Sequence, residues 1–371
     1  MTTTKLNPEL TFVDAKTTAP IAPVGLMARE KFNDLLHIPE PVSLLLVTAP
    51  AGYGKPTSIA ERLDALEART AWYRLEESDN DPGRFAAYLA RTLNQSVAPE
   101  LSVPGRLRNA GYDSLESVLS DLLGELPQEE EPLYLVLDDY HLISNPDIHQ
   151  ALRFLLRHLP SHLTLVIISR TLPPLGIAQL RMKGQMTEIT SKHLALDADE
   201  AQRYLEQRLP FEVSREHIER AVRRVEGWIS ALQLLSASSH TRVEFSEFVD
   251  QLELGNHHIF EYFDELVGQS LTEQQRRFLL RTCILDRFNA AMVMRVMDDN
   301  DGQSLLNSLL AMGLFIMPAD NGGLWFRYHQ LFAVYLRHLL SCTTQENQRS
   351  LHQRATDAWL ELNHAEEAAR H

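Results

Sequence analysis

Residues Ser43 to Ser58 read SLLLVTAPAGYGKPTS. Leu44 to Val47 is a short, unbroken apolar run, the pattern of a strand buried on both faces. A loop carrying Gly52 and Gly54 follows, then Lys55, then a helical stretch from Thr57. Strand, glycine loop, lysine and helix in that order match a phosphate-binding loop. Glycines let backbone N–H groups turn inward around phosphate oxygens. The lysine neutralises the terminal phosphates, and the helix N-terminus adds a favourable dipole. Ala51, Gly52, Tyr53, Gly54, Lys55, Pro56 and Thr57 are therefore the candidate phosphate-binding residues. The competing reading is a glycine-rich loop with no ligand, and the agreement of strand, loop and helix argues against it.

Two positions depart from the pattern G-x-x-x-x-G-K-[ST]. Ala49 stands at the first glycine, and Pro56 stands where the magnesium-binding Ser or Thr belongs. Proline is tolerated in the first turn of a helix, so the loop can still form. But it has no N–H for a phosphate and no hydroxyl for a metal. Thr57 is the nearest hydroxyl and the candidate metal ligand, although one step along a helix rotates a side chain by about 100°. The expectation is that nucleotide binding survives in weakened form and that hydrolysis is poor or absent.

The chain has 371 residues, enough for two or three domains with their own cores. Its net charge of −15 sets the whole against nucleic acid and anionic membranes. Cys283 and Cys342, the two cysteines, both sit in apolar, helix-like contexts and read as reduced core residues. No charged-then-apolar leader opens the sequence, and no stretch reaches the roughly eighteen apolar residues of a membrane span. These features together suggest a cytoplasmic protein.

Residues 1–24 read as an extended arm, and Leu26 to Leu36 as a short helix. Ala71 to Leu75, Leu133 to Leu137, Leu163 to Ser169 and Met186 to Ile189 read as further strands, the last at an edge. Helices fall between them at Phe85 to Leu93, Leu115 to Leu126 and from Asn145-Pro146 to about His158, with a loop at 96–113. Apolar strands alternating with helices mean an α/β fold, a parallel sheet covered on both faces. From Asp197 onward the pattern is helical, and Gly227-Trp228 interrupts the stretch from Glu216 to Ser236. Trp228 reads as a core residue. Gly313 to Pro318 and Leu324 to Tyr328 are strand-like and joined by Ala-Asp-Asn-Gly-Gly, a hairpin turn. Helices followed by one hairpin suggest a winged-helix domain. The expected boundaries are an N-terminal arm at 1–38, a P-loop domain at 39–193, a helical lid at 194–254, a winged helix at 255–345 and a helical segment at 346–371.

Asp138 and Asp139 end a buried strand, where open parallel sheets place their ligands. In a P-loop protein an acid here holds magnesium. Asp138 is the candidate for the metal and Asp139 for orienting water. The alternative is two solvated loop acids. Arg170 follows the next buried strand and should lie beside the phosphate loop, as a clamp on the terminal phosphate or, alternatively, in a surface salt bridge. His329 follows the hairpin in WFRYHQLF, where a lone histidine among aromatics is usually packed core.

APAGYGK, AWYRLEESDNDPGRF, LYLVLDDYHLI, LTLVIISR, EGWISALQL and GLFI…WFRYHQLF occur in this order. Together they resemble the N-terminal half of the MalT family of LuxR-type transcriptional regulators, which belong to the STAND ATPases. The resemblance implies a nucleotide-binding domain, a helical lid and a winged helix, followed in the family by a helical-repeat sensor and a C-terminal helix-turn-helix. It implies ATP/ADP and Mg2+ as cofactors, with ADP holding a closed monomer and ATP permitting self-association. By resemblance Lys55 is the phosphate-loop lysine, Asp138 and Asp139 the acids after the third strand, and Arg170 the sensor arginine. His329 matches the winged-helix histidine that touches the β-phosphate, and Arg29 lies where the N-terminal segment meets adenine. The family has Thr directly after the lysine, so Pro56 puts turnover in doubt. Residues 346–371 resemble the first piece of the repeat arm, and the sensor and DNA-binding domain are not in this sequence. The expected function is a nucleotide-dependent switch module. Its rival is a degenerate, non-hydrolysing interaction module that works by docking protein regulators. A small-molecule kinase is disfavoured, because no residues suggest an acceptor site. Direct DNA binding by this chain is not expected.

Overall fold

Leu44–Thr48 (β1), Arg69–Arg74 (β2), Leu133–Asp138 (β3), Leu163–Ser169 (β4) and Met186–Thr190 (β5) form one sheet in the order β2-β3-β4-β1-β5, and every neighbouring pair is parallel. The computed structural model describes residues 12–20, 29, 42–96, 102, 114–127, 131–252, 255–268, 271–298, 301–320, 322–342, 345–362 and 364–371. The chain divides into two compact units, Met1–Ala49 with Gly54–Leu194 and Pro50–Tyr53 with Ala195–His371.

The first unit carries the sheet. Its central strands are mostly apolar and buried because helices cover both faces. The helices are Lys55–Ala65 (α1), Pro82–Ser96 (α2), Leu115–Glu125 (α3), Pro146–His158 (α4), Ile177–Met182 (α5) and Ser191–Leu194 (α6). Their starts follow local chemistry. Ser114 accepts the Ser117 N–H ahead of α3, and Asn145 accepts the Asp147 N–H ahead of α4, with Pro146 opening that helix. Leu89, Leu93, Leu119, Leu122 and Leu155 from these helices close over Leu135 and Leu163 of the sheet.

Three expectations need correction. The N-terminal arm is not simply extended: Asp14–Lys16 form a 3-10 turn, and Lys16 is buried with Nζ 2.5 Å from the fully buried Asp79 carboxylate and 4.4 Å from the Tyr88 ring centroid. Cys342 is exposed, and only Cys283 is buried. The last helical segment, expected over 346–371, is not one stretch but two helices, Gln345–Glu361 and Ala365–Ala368. The expected helix from Leu26 to Leu36 and most of the 96–113 loop lie outside the described residues.

The second unit is helical: Ala198–Glu206 (α7), Arg215–Val225 (α8), Ile229–Ala237 (α9), Arg242–Gln251 (α10), His257–Gly268 (α11), Glu273–Thr282 (α12), Ala290–Met297 (α13) and Gly302–Ala311 (α14). A hairpin of Ile316–Pro318 (β6) and Phe326–Tyr328 (β7) follows, then Gln330–Ser341 (α15), Gln345–Glu361 (α16) and Ala365–Ala368 (α17). The hairpin is antiparallel, and Phe288 bridges to Phe326 beside it. Three helices followed by a short hairpin form the winged helix. Phe278, Phe288, Tyr328 and Phe332 make its core. The Tyr328 hydroxyl is spared an unmet hydrogen bond by Thr282 Oγ1 at 2.6 Å.

Candidate phosphate-binding site

The register of the sheet sets the carboxyl ends of β1, β3 and β4 nearly level. Thr48 lies opposite Ser169, Leu137 opposite Ile167, and Arg74 opposite Asp138. This is the end of an open parallel sheet where ligands bind. Lys55 opens α1 behind Gly54, which holds the left-handed conformation at φ +69°. Pro56 and Thr57 complete the first turn. The Ser58 N–H donates to the Gly54 carbonyl at 2.9 Å, so the helix closes around the proline without losing a bond.

Lys55 is buried, and its Nζ donates to the Ala49 carbonyl at 2.8 Å. Burial, and then the charge of Arg170, push it down to about 8, while Asp139 and Asp138 act the other way. Asp138 is the last residue of β3 and is buried. Burial and the neighbouring Asp139 push it up to about 7. Asp139 turns the chain at φ +56°, gives its N–H to Asp138 Oδ1 at 2.9 Å, and accepts from Arg74 Nε at 3.3 Å. The two acids therefore split their tasks: Asp138 faces the interior, and Asp139 binds a partner at the surface. Among the described residues Arg170 makes no ion pair, and it bears electrostatically on both Lys55 and His141. Arg29 is buried elsewhere in this unit, with Nη2 3.4 Å from the His193 carbonyl.

His141 was not singled out from the sequence. It lies in a 3-10 turn, Tyr140–Leu142, directly after Asp139. Burial, and then Arg170, push its ring down to about 4. Only its place in DDYH, three residues past a strand-end acid, hinted at a role.

The second unit holds the remaining loop residues. The Trp228 indole Nε1 donates to the Ala51 carbonyl at 3.0 Å, and the Ser230 N–H and hydroxyl both donate to the Gly52 carbonyl at 3.1 Å. Gly52 has φ +80°, and a Cβ there would lie 2.5 Å from Ser230 Oγ and Trp228 Nε1. Glycine is required on both counts. Tyr53 is buried, and burial raises its hydroxyl far above the ordinary range, with Glu226 adding to the effect. Glu226 takes a forked pair from Arg327 at 2.9 and 2.6 Å and the Gln330 N–H at 2.8 Å. Burial pulls its carboxyl upward, and these hydrogen bonds outweigh that and hold it below its usual range. His329 is fully buried between Trp228 and Phe315, each with its ring centroid 5.7 Å away. Its Nδ1 accepts the Leu331 N–H at 3.3 Å and caps α15.

The first unit's donors suit an anion. Lys55 and Arg170 repel each other at a buried site, and negative charge between them would relieve both. Magnesium is less well served. Pro56 offers no side-chain oxygen, and among the described residues no cluster of three or more His, Cys, Asp or Glu side chains could hold a metal. Asp138 is well placed, but Thr57 is one position late on the helix. A cavity of about 580 Å³ lies at the opposite, amino end of the sheet, lined by Ser43, Arg153, Arg157, Lys183 and Gln185, and has no part in this site.

Comparison with known proteins agrees with this architecture. Residues 29–168 match the family described as AAA ATPase domain, and residues 263–349 match the MalT winged helix domain. Over 363 residues the chain is 35% identical to the HTH-type transcriptional regulator MalT of Vibrio campbellii, and over 362 residues 36% identical to that of Yersinia enterocolitica. In each case 97% of this chain is covered, and the chain spans 40% of the length of the relative. A Walker-type ATPase of Pyrococcus abyssi shares the fold, with a TM-score of 0.58 at 16% identity, over 84% of this chain and 96% of that one. No described helix is long and apolar enough to cross a membrane. The chain is thus MalT-like, pairing an AAA ATPase domain of the P-loop fold with a MalT winged helix domain.

Proposed function

We propose that this chain is the nucleotide-dependent switch module of a MalT-like transcriptional regulator, binding ATP or ADP at the Lys55 loop and turning ATP over slowly or not at all. The observation that carries this reading is the buried Lys55, set behind a left-handed Gly54 at the carboxyl end of β1, with Arg170 just after the adjoining β4 and Asp138 at the end of β3 beyond it. Gly54, Lys55, Pro56 and Thr57 would hold the phosphates with Arg170. Ala51, Gly52 and Tyr53 complete the loop, and Asp138 and Asp139 would serve catalysis. Arg29 would meet the base, and His329 the phosphates. The support for His329 is a fully buried imidazole in the unit that also holds Ala51, Gly52 and Tyr53. By family likeness the ATP state would self-associate, protein regulators would act on the switch, and DNA would be left to a domain outside this sequence.

Pro56 favours a second reading, a non-hydrolysing module that holds ADP and works by docking partners. Two measurements separate the readings. Chromatography of acid extracts of the purified protein should find bound ADP if either nucleotide reading holds; a clean, empty protein that takes up none when offered it contradicts both. Phosphate release should be near background and should rise at least about tenfold in Pro56→Thr, which returns a hydroxyl to the position after the lysine. If Pro56→Thr stays silent while binding ATP, the non-hydrolysing module is the better account.

A further inference from the structure

We propose that the cavity at the amino end of the sheet is a second binding site in the first unit, for a small polyanion whose charge lies on phosphoryl or carboxylate oxygens. The inference does not rest on the nucleotide reading: this cavity lies at the opposite end of the sheet from Lys55 and shares no residue with that loop.

The walls come from separate parts of the fold. α4 brings Arg153 and Arg157, one turn apart on the same helical face. Lys183 follows α5, and Gln185 leads into β5. The Ser43 and Leu44 N–H groups both donate to the Gln185 carbonyl, at 3.0 and 3.2 Å, which ties the starts of β1 and β5 together. Leu156 and Leu175, both part of the core, give the cavity its apolar surface. Its volume of about 580 Å³ falls within the range of small-molecule sites, roughly 300–1,000 Å³.

Charge is what marks this cavity. Acids outnumber Lys and Arg by 50 to 35 in the chain, yet three cations and no carboxylate stand among the described lining residues. Other basic residues of this unit have acids: Arg181 pairs with Glu188 at 2.8 Å, and Arg69 with Glu131 at 3.4 Å. Arg153 Nε donates to the His149 carbonyl at 3.3 Å, and Arg157 Nε to the Arg153 carbonyl at 3.2 Å. Each guanidinium is thus held at Nε by the preceding turn of α4. Among the described residues their Nη groups and Lys183 Nζ meet no acceptor. The dipole at a helix C-terminus favours cations, which accounts for Arg157 and Lys183 singly. It does not account for Arg153, a turn further back, or for a lining without an acid. Like charges gathered in this way repel, and an anion between them relieves the repulsion. Forked Nη donors and an ammonium suit phosphoryl and carboxylate oxygens. The Gln179 and Gln185 amides add neutral donors and acceptors for the rest of the ligand. Gln150 already donates to Glu116 at 3.1 Å and is outside the proposed ligand set.

The test is calorimetry on the whole chain with inorganic pyrophosphate and, separately, citrate, one probe for each source of negative charge. Both are titrated into Lys55→Ala, which silences the loop, and into Lys55→Ala that also carries Arg153→Gln and Arg157→Gln. At least one anion should bind Lys55→Ala saturably, and removing the two arginines should weaken it at least about tenfold. Binding of pyrophosphate alone identifies a phosphoryl ligand, and binding of citrate alone a carboxylate. Both arginines are exposed, so Arg153→Gln with Arg157→Gln in the parent should leave the melting temperature unchanged and ADP affinity within about twofold. If Lys55→Ala does not fold, the same comparison is made on the parent, where loss of one binding event with the arginines carries the same meaning. The proposal is overturned if neither anion binds, or if each binds equally with and without the two arginines. Failure of the parent to bind ADP would sink the nucleotide reading and leave this inference to the anion titration alone.

Discussion

His141 in the first unit and His329 in the second are both held near 4 by burial, yet their settings differ in kind. Around His141 the remaining influences are charges: Arg170, Asp139 and Lys55. Around His329 they are rings, backbone and one ion pair: Trp228, Phe315, the Leu331 N–H, the Val225 backbone, and Glu226 with Arg327. A depressed histidine is thus no marker of function by itself. What distinguishes the two is the kind of neighbour: charged side chains around His141, aromatic rings around His329.

The comparison can be broken first at His329. Its ring fills core space and its Nδ1 caps α15, so His329→Ala should cost about 3–5 kcal/mol, the sum of a cavity and a lost cap. His329→Asn keeps an oxygen near Nδ1 and should recover about 1 kcal/mol of that. Denaturant titration followed by tryptophan fluorescence would report both, since Trp228 stacks in the same cluster. Near-equal stability of parent and His329→Ala would show that the packing account is wrong. If His329→Asn folds and binds ADP as the parent does, His329 is structural alone.

The pH dependence sharpens the same contrast. His329 ionises near 6.5 when unfolded and about 4 when folded. Between those values the unfolded chain binds the extra proton. The stability from keeping this ring neutral is therefore fully present above about pH 6.5 and is lost as pH falls through 4, by about 3 kcal/mol in all. His329→Asn cannot titrate, and its stability should fall less steeply over the same window. An unchanged slope would place the acid sensitivity in other groups.

Much of this was legible beforehand. The five strands, the helix starts at Asn145-Pro146 and after Gly54, and the break at Gly227-Trp228 all followed from apolar runs, caps and glycines, which are local signals. So were the glycine loop ahead of α1 and the placing of two acids at the end of β3, because each is one continuous stretch of sequence. What was not legible depends on contacts between distant positions. Lys16 looked like part of an extended arm because nothing near it in sequence announces Asp79. The hold of Trp228 and Ser230 on the Ala51 and Gly52 carbonyls joins residues nearly 180 positions apart. His141 was visible within DDYH but indistinct, because its meaning lies in Lys55 and Arg170 on other elements.

The most direct test of the central claim is ADP calorimetry on the parent chain beside Lys55→Ala. The parent should show saturable, one-site binding. Lys55→Ala should weaken it roughly a hundredfold, the scale of losing a charged hydrogen bond to phosphate. Its fold should be intact, since the substitution also removes a buried charge that Arg170 repels. Equal affinity in the two proteins, or no binding by the parent, would contradict the assignment of this loop as the nucleotide site.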